Sequence, residues 1–226
     1  MRLLFGLADN RSNGTVAARM RKGRHSLFLS LLDQLPSPVT ILDVGGTEDY
    51  WNMLGFPGAR LASITLLNLT FPERSSPQFS HVTGDARQMS EFRDHEFDAV
   101  FSNSVIEHVG GHEDQARMAA EIMRIGRCYF VQTPNYYFPI EAHYLFPFFQ
   151  FLPVHLRAWL LSKRGLGWIK RIPDLQEARI HVESIHLLRK RELLSMFPGA
   201  FLYQERVFGL TKSFVVVGGW HRPSAG

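Results

Sequence analysis

An aspartate and two glycines follow a short apolar run in the sequence LDVGGTEDYW. Asp43 lies two residues before Gly45, and Gly46 comes next. A glycine directly after a buried strand lets the backbone turn tightly and approach a ligand with no side chain in between. The spacing differs from the G-x-G-x-x-G pattern that holds a pyrophosphate. An acid at this position suits a cationic amino-acid ligand better than a phosphate, so the segment predicts a small-molecule site.

Polar residues end three later apolar runs, in chain order. Asn68 ends the second run, and its amide can hydrogen-bond sugar hydroxyls. Asp85 ends the third run in the sequence GDA, where its carboxylate could accept from an exocyclic amine, and Asn103 and Ser104 end the fourth. A single acid or amide in a turn is often only a cap. Four such positions in order predict one shared site.

The elements that must position these residues alternate along the chain. Strands are predicted at 39–44, 60–69, 78–85, 97–103 and 127–133, and helices at 15–35, 48–56, 113–125 and near 189–197. Near-continuous apolar strands separated by crossovers predict a parallel, doubly wound α/β sheet. Ligands bind beyond the carboxyl ends of such strands, where all the candidates above fall.

Residues 134–185 interrupt this alternation and are rich in aromatic residues, proline and basic residues. We expect them to form a lid within a single domain that spans residues 1–226. The two strands that follow have a short connection, which predicts an antiparallel pair. The aromatic run at 136–151 could line a pocket for a hydrophobic or amphipathic ligand, or it could cap the edge of the sheet.

Charge and cysteine content limit the classes of partner. Residues 155–191 hold nine Lys or Arg against three acids, which predicts either a solvated helix face or peripheral contact with an anionic membrane surface. No finger or stacking motif accompanies this charge, so nucleic acid is not expected. A lone cysteine, Cys128, fits a reducing, cytoplasmic location. The apolar run in residues 1–14 is too short for a signal peptide.

Four segments between residues 39 and 135, ILDVGGTEDYW, VTGDA, FDAVFSNSVIEHV and YFVQTPN, resemble the class I S-adenosylmethionine-dependent methyltransferases, particularly those acting on small molecules. The resemblance implies a Rossmann-like, mostly parallel seven-stranded sheet with an antiparallel terminal pair. It also implies S-adenosylmethionine as cofactor and a small-molecule acceptor. The implied cofactor-binding residues are Asp43, Gly45 and Gly46 at the methionine moiety, Asn68 at the ribose, Asp85 and Ala86 at the adenine, and Asn103 at the sulfonium, together with Thr47 and Ser104.

Two positions depart from the family pattern. Thr47 stands where the family usually has glycine, and Asn68 stands where it usually has an acid. An amide lacks the charge-assisted bond of a carboxylate, so we expect weaker cofactor binding. A catalytically inactive cofactor-binding module is one alternative. A methyltransferase acting on nucleic acid or protein is another, although the sequence after the fourth strand is SNSVIEH and not N-P-P-Y.

Methyl transfer needs in-line alignment of donor and acceptor, and a hydroxyl acceptor also benefits from a general base. Glu141 and His143, at the start of the lid, are the predicted catalytic residues. His143 is preferred because an imidazole titrates near neutrality. Glu107 and His108 follow the fourth strand, and a structural role is favoured for His108. With two side chains and no third ligand in view at the lid, no metal site is predicted.

Overall fold

The computed structural model describes residues 15–56, 58–71 and 76–220. The strands of these ranges are β1 (Val39–Val44), β2 (Leu61–Asn68), β3 (Ser80–Thr83), β4 (Phe97–Asn103), β5 (Gly126–Pro134), β6 (Phe201–Val207) and β7 (Leu210–Gly218). The α-helices are α1 (Val16–Leu32), α2 (Glu48–Leu54), α3 (His112–Ile125), α4 (Val154–Lys163), α5 (Leu175–Glu183) and α6 (Lys190–Met196). The signal-peptide prediction concerns residues 1–14, which lie outside the described residues.

The strands form one seven-stranded sheet in the order β3-β2-β1-β4-β5-β7-β6. The neighbours β1 to β5 pair in parallel, and β7 runs antiparallel to both β5 and β6. The predicted Rossmann-like α/β class and its reversed terminal pair are therefore confirmed. Because β1 to β5 are parallel, the polar residues that follow β1 to β4 meet at one edge of the sheet.

Helices cover both faces of the sheet. On one face, α1 begins at Thr15, whose side chain accepts from the Ala18 N–H at 3.1 Å, and it buries Phe28 against Phe101 with 4.7 Å between ring centroids. The other face packs against α3 and α6 through residues such as Ile122 and Leu193. The helix predicted at 15–35 is therefore present as α1, and it contacts the core through Phe28, Leu31 and Leu32.

The third strand is shorter than its apolar pattern suggested, since it covers Ser80–Thr83 and not 78–85. Gly84 still donates its N–H to the Asn68 carbonyl at 3.0 Å. Beyond it, Asp85 pairs with Gln88 in a tight turn. This turn directs the chain away from β2, so Asp85 at the end of the predicted strand lies outside β3.

The lid contains helices that the sequence analysis did not predict. Helices α4 and α5 pack on each other around a small apolar cluster that includes Leu161 and Val182. Two residues of the aromatic run, Tyr144 and Phe149, belong to this cluster, whereas Phe148 is exposed. Among residues 15–56, 58–71 and 76–220, no helix combines the length and apolar character needed to cross a membrane.

Candidate functional site

Gly45 starts the turn after β1 with a φ of 76°, in the left-handed region that favours glycine. Its N–H donates to the Leu67 carbonyl at 2.8 Å, which ties the end of β1 to β2. A Cβ atom placed on Gly45 would overlap the side chain of Val105. The turn therefore requires glycine both for its backbone angle and for the close approach of the segment after β4.

The side chain of Asp43 lies buried beneath this turn. Its Oδ2 accepts from the Trp51 indole N–H at 2.8 Å, and its carboxyl group packs so closely on Gly46 that a Cβ there would overlap it. Burial raises the pKa of Asp43 to about 7, and the Trp51 hydrogen bond opposes this only in part. A cation at the turn would favour the ionised carboxylate. Contact between Asp43 and the methionine moiety stays a prediction.

The two departures from the family pattern have local structural reasons. Thr47 is the N-cap of α2 and accepts from the Tyr50 N–H at 3.4 Å, and threonine is a favoured N-cap residue. Asn68 donates from Nδ2 to the Gly46 carbonyl at 2.5 Å. A carboxylate carries no proton for that bond, so an amide fits this turn better than the usual acid.

Asn68→Asp is accordingly expected to weaken S-adenosylmethionine binding by about tenfold or more. It would place a carboxylate against the Gly46 carbonyl, and an unmade buried hydrogen bond costs about 1–3 kcal/mol. Calorimetric titration with S-adenosylhomocysteine, together with thermal unfolding of the same samples, measures both effects. Asn52→Asp on the exposed face of α2 is the matched control. Improved affinity in Asn68→Asp would mean that a charged ribose contact outweighs the turn.

Asp85, which follows β3, forms an ion pair with a neighbouring arginine. Its carboxylate pairs with Arg87 at 2.6 Å, and this side-chain hydrogen bond lowers the pKa of Asp85. Ala86 packs against the apolar cluster on the α3 face of the sheet. An adenine amine would have to share the Asp85 carboxylate with Arg87, so the adenine contacts of Asp85 and Ala86 stay predictions.

Asn103 and Ser104 meet an arginine whose role the sequence analysis missed. Arg24 of α1 donates to Asn103 Oδ1 and to Gln132 Oε1, the latter at 3.1 Å, and pairs with Glu205 at 2.8 Å. Ser104 donates to the same Gln132 oxygen at 2.8 Å. Glu205 is 181 residues from Arg24 along the chain, so no local pattern marks the pair.

A cavity of about 250 Å³ lies beside this network, at the carboxyl ends of β4 and β5. Lid residues form the apolar wall of the cavity, which consists of Phe138, Ile140, Leu145 and Trp168. Helix α1 and strand β7 supply a basic wall, which consists of Arg21, Arg24 and Lys212. Apolar walls with a few convergent polar groups are typical of small-molecule sites. Of the predicted aromatic run, Phe138 lines this cavity, while Tyr144 and Phe149 stabilise the lid itself.

The structure brings the predicted catalytic pair into contact. His143 Nδ1 lies 2.7 Å from Glu141 Oε1. Glu141 Oε2 accepts the backbone N–H groups of His143 and Tyr144, each at 2.7 Å. Because its carboxylate already holds three donors, the geometry suits Glu141 to orienting His143. A role for either residue in proton transfer stays a prediction.

The second candidate pair joins the first across the junction of sheet and lid. His108 Nε2 lies 3.1 Å from His143 Nε2. His108 is exposed as a whole residue, but desolvation of its imidazole beside the lid, with a contribution from His143, lowers its pKa to about 4. Burial also lowers the pKa of His143, but the hydrogen bond and charge of Glu141 outweigh it, so the net shift is upward. Glu107 is fully buried and accepts from Thr133 Oγ1 at 2.9 Å.

A buried glutamine fixes the turn that carries Glu107 and His108. Gln115 of α3 donates from Nε2 to the Ile106 carbonyl at 3.1 Å and to the His186 carbonyl at 2.8 Å. The His186 N–H donates in turn to the Glu107 carbonyl at 2.8 Å. The sequence analysis missed Gln115, although an amide on the apolar face of a helix is a recognisable signal.

Part of the chain matches known methyltransferase sequences. Residues 60–128 match the methyltransferase domain family. Uncharacterized proteins from two strains of Mycobacterium tuberculosis are 38% identical over 53 residues, which is 24% of this chain and 18% of each relative. The match therefore reaches less than a fifth of the length of these curated relatives.

Solved structures with similar folds include a synthase-like protein and a carbon methyltransferase, both with TM-scores above 0.5. A cyclopropane-fatty-acyl-phospholipid synthase-like protein from Lactobacillus casei has a TM-score of 0.52 at 11% identity, covering 96% of this chain and 98% of that one. The CurJ carbon methyltransferase has a TM-score of 0.53 at 11% identity, covering 89% of this chain and 54% of that one. At this level of identity the likeness concerns the fold alone.

Proposed function

We infer that this chain is an S-adenosylmethionine-dependent methyltransferase of class I, because residues 60–128 match the methyltransferase domain family and the sheet has the Rossmann-like order expected of that class. The cofactor of that domain is S-adenosylmethionine, and the reaction is transfer of its activated methyl group. We propose that the acceptor is a small amphipathic molecule with an anionic group. One observation carries this proposal, namely the cavity between sheet and lid with an apolar wall on one side and a basic wall on the other.

The basic wall favours an anionic group on the acceptor. Arg24 is already paired with Glu205 at 2.8 Å. Lys212 is on β7, next to the strand β6 that carries Glu205, and its ammonium nitrogen lies 3.8 Å from Met20 Sδ. Burial and the charge of Arg24 lower the pKa of Lys212. An anion beside Lys212 would relieve both effects, because an opposite charge favours the ionised form of a buried amine.

Methyl transfer requires mainly that the methyl donor and the acceptor atom are aligned. A methyl group on a sulfonium is transferred when the acceptor atom approaches in line with the breaking C–S bond. If that atom is a hydroxyl oxygen, we propose that its proton is lost at His143, which Glu141 orients. Ala142, adjacent to His143 in the chain, lines the cavity, whereas Glu141 and His143 are not among its lining residues. The proposal therefore requires the acceptor hydroxyl to extend past Ala142 to the imidazole.

A product search tests the proposal. The protein is incubated with methyl-labelled S-adenosylmethionine and a metabolite extract, and the products are separated by anion exchange and identified by mass spectrometry. We expect label in small, anionic, partly apolar products, and none with heat-inactivated protein. Cofactor binding without labelled product would support an inactive module instead. Label confined to protein or nucleic acid would support a polymer methyltransferase.

Lys212→Met is predicted to raise KM for an anionic acceptor by about tenfold, because a charge-assisted hydrogen bond contributes about 1.5–3 kcal/mol. The affinity for S-adenosylhomocysteine should stay within about twofold, since Lys212 is on β7 and is not one of the residues predicted to contact the cofactor. Lys163→Met, at an exposed position on α4, is the control. Steady-state kinetics with the identified acceptor decide this. An unchanged KM would place the anionic group elsewhere or remove it from the proposal.

The outer surface of the lid favours a second proposal, peripheral contact with an anionic membrane. Trp159 is 50% exposed, and Trp168, which also lines the cavity, is 46% exposed. Four exposed basic residues lie in the same segment of the chain: Lys163, Arg164, Lys170 and Arg171. Indole rings and basic side chains together are typical of proteins that bind at the surface of anionic bilayers.

Changing these four basic residues to Gln is predicted to reduce sedimentation with phosphatidylserine vesicles, because each basic residue near such a surface contributes about 1 kcal/mol. The matched control changes four exposed basic residues outside the lid to Gln: Arg19, Lys22, Arg93 and Arg191. A wild-type protein that stays in the supernatant at low salt would contradict the membrane proposal. An equal loss of vesicle sedimentation in the lid variant and the control variant would mean that the overall charge, and not the lid, causes the binding.

A further inference from the structure

We propose that Glu107, His108 and His143 bind one divalent transition-metal ion, of the class represented by Zn²⁺, at the junction of sheet and lid. One ligand atom from each of the three side chains lies within 4.8 Å of the others. Glu107 and His108 come from the turn after β4, and His143 comes from the lid. The inference rests on the proposed function in one respect, because it puts the ion where an acceptor hydroxyl would lose its proton.

A buried oxygen of Glu107 points to a cation. The residue is 0% exposed, and its Oε2 accepts from Thr133 Oγ1 at 2.9 Å. Within the described part of the chain, Oε1 is buried with no hydrogen-bond partner. An unpaired carboxylate oxygen in such a place is costly. A metal ion coordinated by Oε1 would supply the missing partner.

His143 is oriented as metal-ligating histidines usually are. Its Nδ1 lies 2.7 Å from Glu141 Oε1, so in the neutral imidazole the proton lies on Nδ1 and the lone pair on Nε2. That lone pair faces the Nε2 atom of His108. A histidine that donates its other ring N–H to a carboxylate is the usual outer-shell arrangement around a bound metal.

The spacing of the two ring nitrogens suits one ion. They lie 3.1 Å apart, and two nitrogens on a tetrahedral Zn²⁺ with bonds of about 2.0–2.1 Å are separated by about 3.3 Å. Two histidines and one glutamate leave a fourth position open, as in catalytic zinc sites. No metal site is predicted from the sequence, because the start of the lid offers only Glu141 and His143. The fold brings Glu107 and His108, from the turn after β4, next to His143.

Bound there, the ion would lower the pKa of a coordinated hydroxyl. With the Nε2 lone pair of His143 bound to the ion, water and not His143 would take the O–H proton of the acceptor, and the acceptor oxygen would form the new bond to the methyl carbon. The C–S bond would break with its electron pair going to sulfur, which leaves as S-adenosylhomocysteine. The ion changes no oxidation state, so the step needs no oxidant or reductant.

Metal binding is tested on the full chain without a histidine tag and without cofactor or acceptor. The protein is treated with chelator, dialysed against Zn²⁺ or Co²⁺, and measured by elemental analysis and by the visible absorption of bound Co²⁺. We expect about one ion per chain and the intense absorption of tetrahedral Co²⁺. His108→Ala, His143→Ala and Glu107→Gln should each weaken binding by tenfold or more, whereas His155→Ala, at an exposed position on α4, should not.

The rival arrangement is a metal-free pair in which one histidine donates to the other. It would be indicated by Zn²⁺ binding that is equally weak in the wild type, His108→Ala and His155→Ala, and that result would overturn the inference. Glu107→Gln keeps an acceptor for Thr133, so circular dichroism should show it folded. S-adenosylhomocysteine binding is measured separately by calorimetry. A wild-type protein that binds S-adenosylhomocysteine but no metal rejects the ion and not the methyltransferase, whereas a wild-type protein that binds the metal but no S-adenosylhomocysteine rejects the methyltransferase and not the ion.

Discussion

Gly45→Ala is expected to lower the free energy of unfolding by about 2–5 kcal/mol and to weaken S-adenosylmethionine binding by more than tenfold. The left-handed backbone contributes about 1–2 kcal/mol of this cost. Overlap of the new Cβ with Val105 contributes about 1–3 kcal/mol more. Binding should fall because relief of the overlap moves the turn that is predicted to contact the cofactor. Urea denaturation and calorimetric titration measure the two effects.

The chain offers a close control for the backbone component. Gly199 has a φ of 77°, against 76° for Gly45, and a Cβ placed on it meets no atom within 4 Å. Gly199→Ala should therefore cost only the backbone strain and leave cofactor affinity unchanged. In the double variant Gly45→Ala/Val105→Ala, the new Cβ meets a smaller side chain, so the part of the unfolding free energy lost to overlap should be recovered. A double-mutant cycle should therefore show a favourable coupling between the two substitutions. Equal losses at the two glycines would mean that close packing at the turn is unimportant.

Arg24→Met is expected to destabilise the fold by about 3–5 kcal/mol, the usual cost of removing one partner of a buried ion pair. Arg24 and Glu205 have side-chain exposures of 11% and 14%. Without Arg24, Glu205 keeps a hydrogen bond from Ser213 Oγ at 2.5 Å but has lost its cation. Methionine preserves much of the apolar stem, so the loss should report the charge and its hydrogen bonds.

Two variants identify the source of this effect. Arg24→Met combined with Glu205→Gln removes the stranded charge and should recover a substantial part of the lost stability. Arg179→Met breaks an ion pair with Glu183 whose side chains are 57% and 44% exposed, and it should cost no more than about 0.5 kcal/mol. If Arg24→Met were no worse than Arg179→Met in urea denaturation, the network beside the cavity would not stabilise the fold.

Much of the fold could be predicted from the sequence because buried strands are local patterns. The bounds of β1 and β4 match the predicted runs at 39–44 and 97–103, since each is a continuous apolar segment that ends in a polar turn. The alternation of strands with crossovers predicts the parallel sheet. A parallel sheet brings the ends of its strands to one edge, so the position of the glycine turn after β1 also follows from the sequence.

Only the tertiary structure decided which polar atoms pair at that edge. Arg24 and Glu205 come from opposite ends of the chain, and His108 and His143 are 35 residues apart. Their contacts depend on distances near 3 Å, which a pattern of residue types along the chain does not specify. The same applies to Asn68, whose amide meets the Gly46 carbonyl and so explains the missing acid. The sequence by itself therefore determined the sheet and the place of its site, whereas packing of the lid and α1 decided the pairs within that site.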